Sequence, residues 1–340
     1  MDIQMEELLL GLIDHSSDGV IAIRDGVVVY ANGAANRLAG KELTGYKTFE
    51  LFRSAAIPEI KQCHKDTLVE CFFFDKPVQI RVQKKEGLLI FIIQLDEQED
   101  QRACSAGSIA ETGNEIRSAL AVLMTVLETT LQDSPYWAIA YKNCCRILRS
   151  VSSNRFLLIT PDEFEKEMET TDVVNRLKKN GEELTQLLQD LSISVSFHTE
   201  LDRLDAMYHL QAIRRVFISL IGESIRRIGI GGQIRITLAV TENKQDVMIS
   251  VWDKKGETNQ LITDMDKSAV DKSVISRIMR LSKGLILRET PKPDEHIATM
   301  IFPVRGAEID YMNIPSLEMK AISQILVELS GVLPSTCYQK

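Results

Sequence analysis

The 340-residue chain is poor in the residues that mark several kinds of site. It has six cysteines and five histidines, and no two cysteines form a Cys-x-x-Cys pair, so the usual spacing of a structural zinc site is excluded. Cys144 and Cys145 fall inside an amphipathic helical pattern. We therefore expect buried thiols, with a metal or redox site as the alternative.

Long apolar runs are also missing. No segment approaches the roughly 20 residues that span a bilayer. Residues 1–7 carry three acids and no base, unlike a secretory leader. The net charge of −8 argues against a nucleic-acid partner. Neither GxGxxG nor GxxxxGK[ST] occurs, which excludes the common nucleotide loops of Rossmann and P-loop proteins. These absences predict a cytoplasmic protein without a transmembrane segment.

What is present is an ordinary globular composition, with 44% hydrophobic and 26% charged residues. Changes of hydrophobic period divide the chain into an α/β unit at 1–97, a helical hairpin at 98–160, a second α/β unit at 161–306 and a helical tail at 307–340. The predicted fold class is therefore a multidomain combination of α/β and all-α units.

The first unit begins with two apolar runs around the turn Asp25-Gly26, which predicts a β-hairpin. The segment HSSDGVIAIRDGVVVYANGAANRLAGKELTG, residues 15–45, resembles the start of a PAS domain. In that family an asparagine caps the helix after the second strand, and Asn32 stands there. The resemblance implies binding of a small ligand or ligand-free dimerisation; the ligand is open. Cys63-His64 could suggest a haem or metal site, but a lone histidine of this kind is more often a surface residue.

The hairpin consists of two helices, predicted at about 109–131 and 137–158, with a break at Asp133-Ser134-Pro135. Each helix carries an apolar stripe at helical spacing. A hairpin alone cannot bury both stripes, so we expect two copies to pair as a dimeric four-helix bundle.

The second α/β unit alternates helices and strands in an order that predicts a two-layer sandwich, with helices on one face of a mixed sheet. Its helices are expected from about Val173, from Leu210 and over Ser273–Leu281, and its last strand over Ala298–Phe302. Thr160-Pro161-Asp162 is expected to end the preceding helix. The tail, Pro315–Val332, is predicted as one amphipathic helix of unassigned role.

This order of units resembles a sensor histidine kinase, and the hairpin resembles its dimerisation and phosphoacceptor domain. The first helix of that domain carries His-Glu-aliphatic-Arg-Thr-Pro-Leu, and this chain has Asn-Glu-Ile-Arg-Ser-Ala-Leu at 114–120. Glu115 and Arg117 match, and Ser118 is close. Asn114 replaces the histidine. A carboxamide nitrogen is not nucleophilic, because its lone pair is delocalised, so Asn114 is not expected to accept a phosphoryl group.

The second α/β unit resembles the ATP-binding domain shared by histidine kinases and gyrase-type ATPases. Ser219 and Glu223 occupy positions where that family has two asparagines, the second of which binds Mg²⁺. The resemblance implies that Asp253 would accept from an adenine amino group. Lys255 and Glu257 replace the two glycines that follow.

A third family pattern, a glycine-rich lid that cradles phosphates, aligns with residues 268–272, Ser-Ala-Val-Asp-Lys, which contain no glycine. Taken with the other substitutions, this predicts that ATP and Mg²⁺ do not bind, that no cofactor is held, and that the chain is not an enzyme.

The leading hypothesis is a degenerate, pseudo-histidine kinase. It would sense through its PAS domain, form a homodimer, and regulate a response regulator or a partner histidine kinase by binding, with Glu115, Arg117 and Ser118 at the docking face. One alternative is a phosphatase of a phosphorylated response regulator, in which Glu115 and Ser118 orient a water. Another is a nucleotide sensor in which Asp253 holds adenine.

Overall fold

The computed structural model describes residues 13, 16–51, 67–74, 76–85, 87–95, 106–130, 136–241, 245–256, 270–303 and 323–338. The lid residues Ser268 and Ala269 and the pair Cys63-His64 lie outside the described residues.

The first unit contains five strands and two short helices among its described residues. Their bounds are β1 Gly19–Arg24, β2 Val27–Ala31, α1 Gly33–Ala39, α2 Thr48–Leu51, β3 Thr67–Phe73, β4 Lys76–Lys85 and β5 Leu88–Leu95. Asp25 and Gly26 both have positive φ at the predicted β1–β2 turn, 51° and 79°, as a two-residue hairpin turn requires.

Asn32 caps α1 as the sequence predicts. Its side-chain oxygen accepts hydrogen bonds from the backbone N–H of Ala35 and of Val20, both at 2.9 Å. Its amide nitrogen donates to the carbonyl oxygens of Ile13 and Asp18. Because the side chain is fully buried, these bonds fix the helix start against the first strand.

The hairpin consists of α3 (Ala106–Thr130) and α4 (Trp137–Leu158), close to the predicted bounds. Leu120 and Met124 of α3 are buried and face α4. The indole N–H of Trp137 donates to the carbonyl oxygen of Leu127 at 3.1 Å and ties the start of α4 to the end of α3.

The second α/β unit follows α4 directly. Its elements are α5 Pro161–Lys166, β6 Glu169–Asp172, α6 Val173–Leu188, β7 Ser194–Thr199, β8 Asp205–Tyr208, α7 Leu210–Ile228, β9 Gln233–Val240, β10 Asp246–Lys254, α8 Val270–Leu281, β11 Leu285–Lys292 and β12 Glu295–Pro303. The predicted helices and the closing strand are present. β6 and β8, which pair as a separate small sheet, are not predicted from the sequence.

The strands of both α/β units form one sheet, in the order β2-β1-β5-β4-β3-β11-β12-β10-β9-β7. All neighbours are antiparallel except β7 and β9, which are parallel. The joint between the units is the pairing of β3 with β11, where Val69 lies opposite Leu287. This joint is not predicted from the sequence, because strand pairing between distant segments leaves no local pattern.

Two hydrophobic cores lie on opposite faces of β11 and β12. Ile286 and Phe302 belong to the core under the helices, whereas Leu285, Leu287 and Ile301 belong to the core of the first unit. Alternate side chains of a strand point to opposite faces, so β11 contributes to both cores at once. The expectation of helices on one face is therefore correct but incomplete, since the first unit covers part of the other face.

The prediction that Thr160-Pro161-Asp162 ends α4 is confirmed, because α4 ends at Leu158. Thr160 also starts α5 through a capping box with Glu163, and Pro161 fits the first helical position. The prediction of one long helix in the tail is wrong where the structure describes it. The tail contains α9 (Gln324–Glu328) and two 3₁₀ turns, Leu329–Gly331 and Ser335–Tyr338. Pro334 cannot continue a helix. Residues 304–322 lie outside the described part of the chain.

His209 provides a test of the packing at the start of α7. Its Nδ1 accepts from the backbone N–H of Ala212 at 3.4 Å, and its Nε2 lies 3.0 Å from a carboxylate oxygen of Glu167. The ring is buried against Phe164. Burial is the main cause that lowers the pKa of His209 below its usual 6.5, and the nearby Glu167 opposes this shift.

Because the folded state resists protonation of His209, the unfolded state binds more protons below pH 6.5. The contribution of neutral His209 to the free energy of unfolding is therefore complete above pH 6.5. It is lost as the pH drops, with a slope of at most about 1.4 kcal/mol per pH unit for one proton. His209→Gln keeps an acceptor and does not titrate, so we expect a shallower slope between pH 6.5 and 5 in urea unfolding. His198→Gln, at an exposed position, is the control. An unchanged slope in His209→Gln would contradict this account.

Candidate functional site

The segment of α3 that aligns with the phosphoacceptor motif is helical throughout, as predicted. Ser118 is exposed and Arg117 is half-buried, whereas the side chains of Asn114 and Glu115 lie outside the described residues. The phosphatase alternative, which needs Glu115 beside Ser118, therefore stays a prediction.

Arg117 lies near Arg155 of α4. Burial lowers the pKa of the Arg117 guanidinium below its usual value, and the positive charge of Arg155 lowers it further. Arg155 also binds Glu167 at 2.5 Å, and both of these side chains are more than a third exposed. The positive charge of Arg155 is therefore balanced within the chain by Glu167.

The predicted nucleotide residues lie on α7, at the end of β10 and in the loop after it. Ser219 and Glu223 are half-buried on α7, and Asp253 is fully buried on β10. Lys255 is exposed, and its backbone N–H donates to the carbonyl oxygen of Asp294. Glu257 lies outside the described residues.

Asp253 is held by two neighbours that no sequence motif marks. The guanidinium of Arg227, one turn after Glu223 on α7, forms a short ion pair with its carboxylate. Nδ1 of His296, directly opposite Asp253 on β12, lies 3.6 Å from the other oxygen. Burial and then the charge of Arg227 lower the pKa of His296, while Asp253 raises it. In this conformation the carboxylate is therefore engaged by protein.

Glu223 is likewise paired within the protein. Its carboxylate lies 3.3 Å from a guanidinium nitrogen of Arg288 on β11. The same guanidinium lies 3.3 Å from Glu70 of β3. Arg288 therefore stands between one acid of the first unit and one acid of α7, beside the strand pair that joins the two units.

The loop after β10 contains a glycine that lies between the two aligned positions. A Cβ on Gly256 would lie 2.4 Å from the carbonyl oxygen of Gly231, so only glycine fits where this loop crosses the turn after α7. The aligned positions Lys255 and Glu257 flank it. The alignment places the family glycines at positions 255 and 257, one residue to either side, so the need for glycine at 256 was not predicted. Gly256 itself is the sequence signal that could have revealed it.

The remaining predicted site residues are those of the lid and the cysteines. Val270, Asp271 and Lys272 form the first turn of α8 instead of a loop. Among the described residues, no group of three or more His, Cys, Asp or Glu side chains could hold a metal ion. Burial raises the pKa of the Cys71 and Cys145 thiols to about 12, which makes them unreactive at neutral pH.

A model described as a PAS domain matches residues 7–71. The search of curated proteins found no match. Among the described residues no helix is long and apolar enough to cross a membrane.

Several solved structures similar to this chain are histidine kinases. Histidine kinase ThkA, solved in complex with the response regulator protein TrrA, has a TM-score of 0.36 and 18% identity, and the match covers 84% of this chain and 96% of that chain. AdeS of Acinetobacter baumannii has a TM-score of 0.37 and 16% identity, with 57% and 98% covered. A histidine kinase from Burkholderia phymatum has a TM-score of 0.36 and 10% identity, with 59% and 100% covered. At such identities the similarity concerns the fold alone.

The chain thus contains a segment that matches a PAS domain, and the solved structures with which it shares a low similarity include histidine kinases.

The expectation that the chain is not an enzyme is wrong in light of this comparison. The structural neighbours are histidine kinases, which are enzymes, and nothing in the described residues demonstrates a loss of activity. The expectation rested on substituted motif letters, and letters alone do not measure what a site can do when other side chains surround it. The expectation that ATP and Mg²⁺ do not bind stays a prediction.

The pairing of Arg227 with Asp253 predicts an asymmetry between two substitutions. Arg227→Met leaves a fully buried carboxylate without its cation, which we expect to lower the free energy of unfolding by about 3 kcal/mol. Asp253→Asn leaves Arg227, whose side chain is 31% exposed and can turn toward water, so the expected loss is about 1 kcal/mol. Trp252, adjacent on β10, reports unfolding by fluorescence.

The measurement is made in urea at pH 8, where His296 is neutral and cannot replace the lost cation. The double variant Arg227→Met/Asp253→Asn is the control, and its loss should be smaller than the sum of the two single losses. Equal losses in the two single variants would contradict the predicted asymmetry, and a negligible loss in Arg227→Met would show that the carboxylate does not depend on Arg227.

Proposed function

We propose that this protein acts in signal transduction as a homodimer, and that it regulates a response regulator or a partner histidine kinase by binding it at the helical hairpin. The PAS domain would receive the signal, and the sheet that it shares with the second α/β unit would carry a change of conformation to the rest of the chain. The observation that carries the proposal is the exposed apolar face of α3.

That face is unusual in this molecule. Leu120 and Met124 fill the side of α3 that packs on α4, yet Val122 and Leu123 on the other side are 65% and 54% exposed. The further exposed apolar residues of the hairpin are Ile116, Val126, Tyr136, Ile139 and Ile147. Contiguous apolar surface of this kind marks a protein interface, and two such hairpins would bury it in a four-helix bundle.

The charges of the hairpin support an acidic binding partner. Arg117 and Arg155 lie close enough for the charge of Arg155 to lower the pKa of Arg117. Carboxylates on a partner surface would gain charge-assisted hydrogen bonds from such guanidinium groups. The aligned segment Asn114–Leu120 is the natural place for such docking, because Arg117 and Ser118 lie in it.

Dimer formation can be tested with one charge on the apolar face. Leu123→Glu places a carboxylate where the bundle would bury a leucine, so we expect the mass measured by light scattering to fall from twice 38.3 kDa to 38.3 kDa. Val29→Glu, on an exposed strand position of the first unit, is the matched control and should stay dimeric. A wild-type protein that is already monomeric at micromolar concentration would contradict the proposal.

Partner binding can be tested separately with charge reversals. Calorimetry against a panel of purified response-regulator receiver domains should find one that binds the wild-type chain. We expect Arg117→Glu to weaken that binding roughly tenfold or more, because it turns attraction into repulsion. Lys179→Glu, exposed on α6, makes the same charge change away from the hairpin and should have little effect. Binding that is equally strong in both variants would exclude Arg117 from the docking face.

A further inference from the structure

The tail at 323–338 lies between the hairpin and the second α/β unit. On one side it packs against α4, and on the other against α6 and α7. Its apolar side chains are part of the large core under the helices, and those that are fully buried are Ile325, Leu329, Val332, Leu333 and Tyr338. Gly222 of α7 makes room for it, since a Cβ there would lie 3.3 Å from Val332.

A single buried arginine links the three elements. Arg215 of α7 is 1% exposed and is among the largest fully buried side chains. One of its terminal nitrogens donates to the hydroxyl of Ser153 on α4 at 2.6 Å. The other forms a short ion pair with Glu328 of the tail. α4, α7 and the tail therefore meet at one guanidinium.

Hydrogen bonds also fix the tail internally and join its first described residue to α6. The side chain of Ser323 accepts from the backbone N–H of Leu326 and donates to Glu183 of α6. The hydroxyl of Tyr338 donates to the carbonyl oxygen of Leu326 at 2.9 Å. Its ring lies 6.3 Å from that of Tyr141 on α4. The tail is thus a folded insert between two helical surfaces.

A buried ion pair is a costly way to join two surfaces that apolar side chains could join as well. Desolvation of both charges offsets much of their attraction, and replacing such a pair by apolar residues is often neutral or stabilising. On opening, both charges regain water, so the joint separates more easily than an apolar one. α4 also packs against α8 of the unit, whose Arg277 donates to the carbonyl oxygen of Ile159 at 3.0 Å. Opening would therefore change the placement of α4 without releasing it.

We propose that residues 323–338 form a releasable clasp, closed by the pair of Arg215 with Glu328, that holds α4 against α7. Closure keeps the hairpin in one orientation relative to the second α/β unit, and release lets it move about the contact of α4 with α8. The clasp rests on these contacts and does not depend on the function proposed above or on any partner.

Hydrogen exchange of the full chain, read by mass spectrometry, tests the clasp. Glu328→Gln keeps the shape of the side chain and removes its charge. We expect exchange to become roughly tenfold faster or more in the tail, in residues 141–153 of α4 and in residues 210–222 of α7. Exchange in β10 should not change. Gln324→Ala, exposed on the same tail helix, is the control and should match the wild type.

A double apolar variant separates a releasable joint from ordinary core packing. Arg215→Met/Glu328→Leu removes both charges, and we expect it to slow exchange in the same three segments below the wild-type rate. Faster exchange in the double variant would overturn the clasp, because it would show that the pair is required to hold the structure together. Faster exchange confined to the tail in Glu328→Gln would overturn it as well. If Glu328→Gln does not fold, Ser153→Ala removes only one hydrogen bond of Arg215 and should raise exchange in the same places to a smaller extent.

Discussion

The structure depends on the alternation of side chains along β11. Leu285 and Leu287 point into the core of the PAS unit, and Ile286 points into the core under the helices. A strand that is buried on both faces cannot shift by one residue without placing every side chain in the wrong core. The pairing of β3 with β11 therefore joins the two units in a fixed register, and a change in one core acts directly on the strand that also lines the other.

Charged groups are concentrated beside this joint. Arg288 lies between Glu70 of the PAS unit and Glu223 of α7, and Arg227 holds Asp253 one helical turn further along α7. Each acid that the family resemblance assigns to nucleotide or metal is thus paired with an arginine of this chain. These pairs define which contacts any ligand at the site would have to exchange.

The hairpin differs from α6 and α7 because it leaves apolar side chains exposed. α6 and α7 bury their apolar faces in one core, whereas α3 leaves Val122 and Leu123 exposed on the side away from α4. The same hairpin is held to the second α/β unit through the tail and Arg215. One of its surfaces is thus fixed within the chain, while another is suited to contacts outside it.

Local signals in the sequence determined the elements. Asn32 as a helix cap, the turn at Asp25-Gly26 and the two long helices of the hairpin follow from propensity and period, because their hydrogen bonds close within a few residues. The same reading identified the family resemblance and the positions of Asp253 and Glu223. Tertiary structure alone decided what surrounds them. Arg227, Arg288 and His296 carry no motif, and the separation of Arg288 from Glu70 by 218 residues leaves no pattern to read. The fused sheet and the buried Arg215 arise in the same way, since the free energy of such contacts depends on which distant surfaces meet when the chain folds.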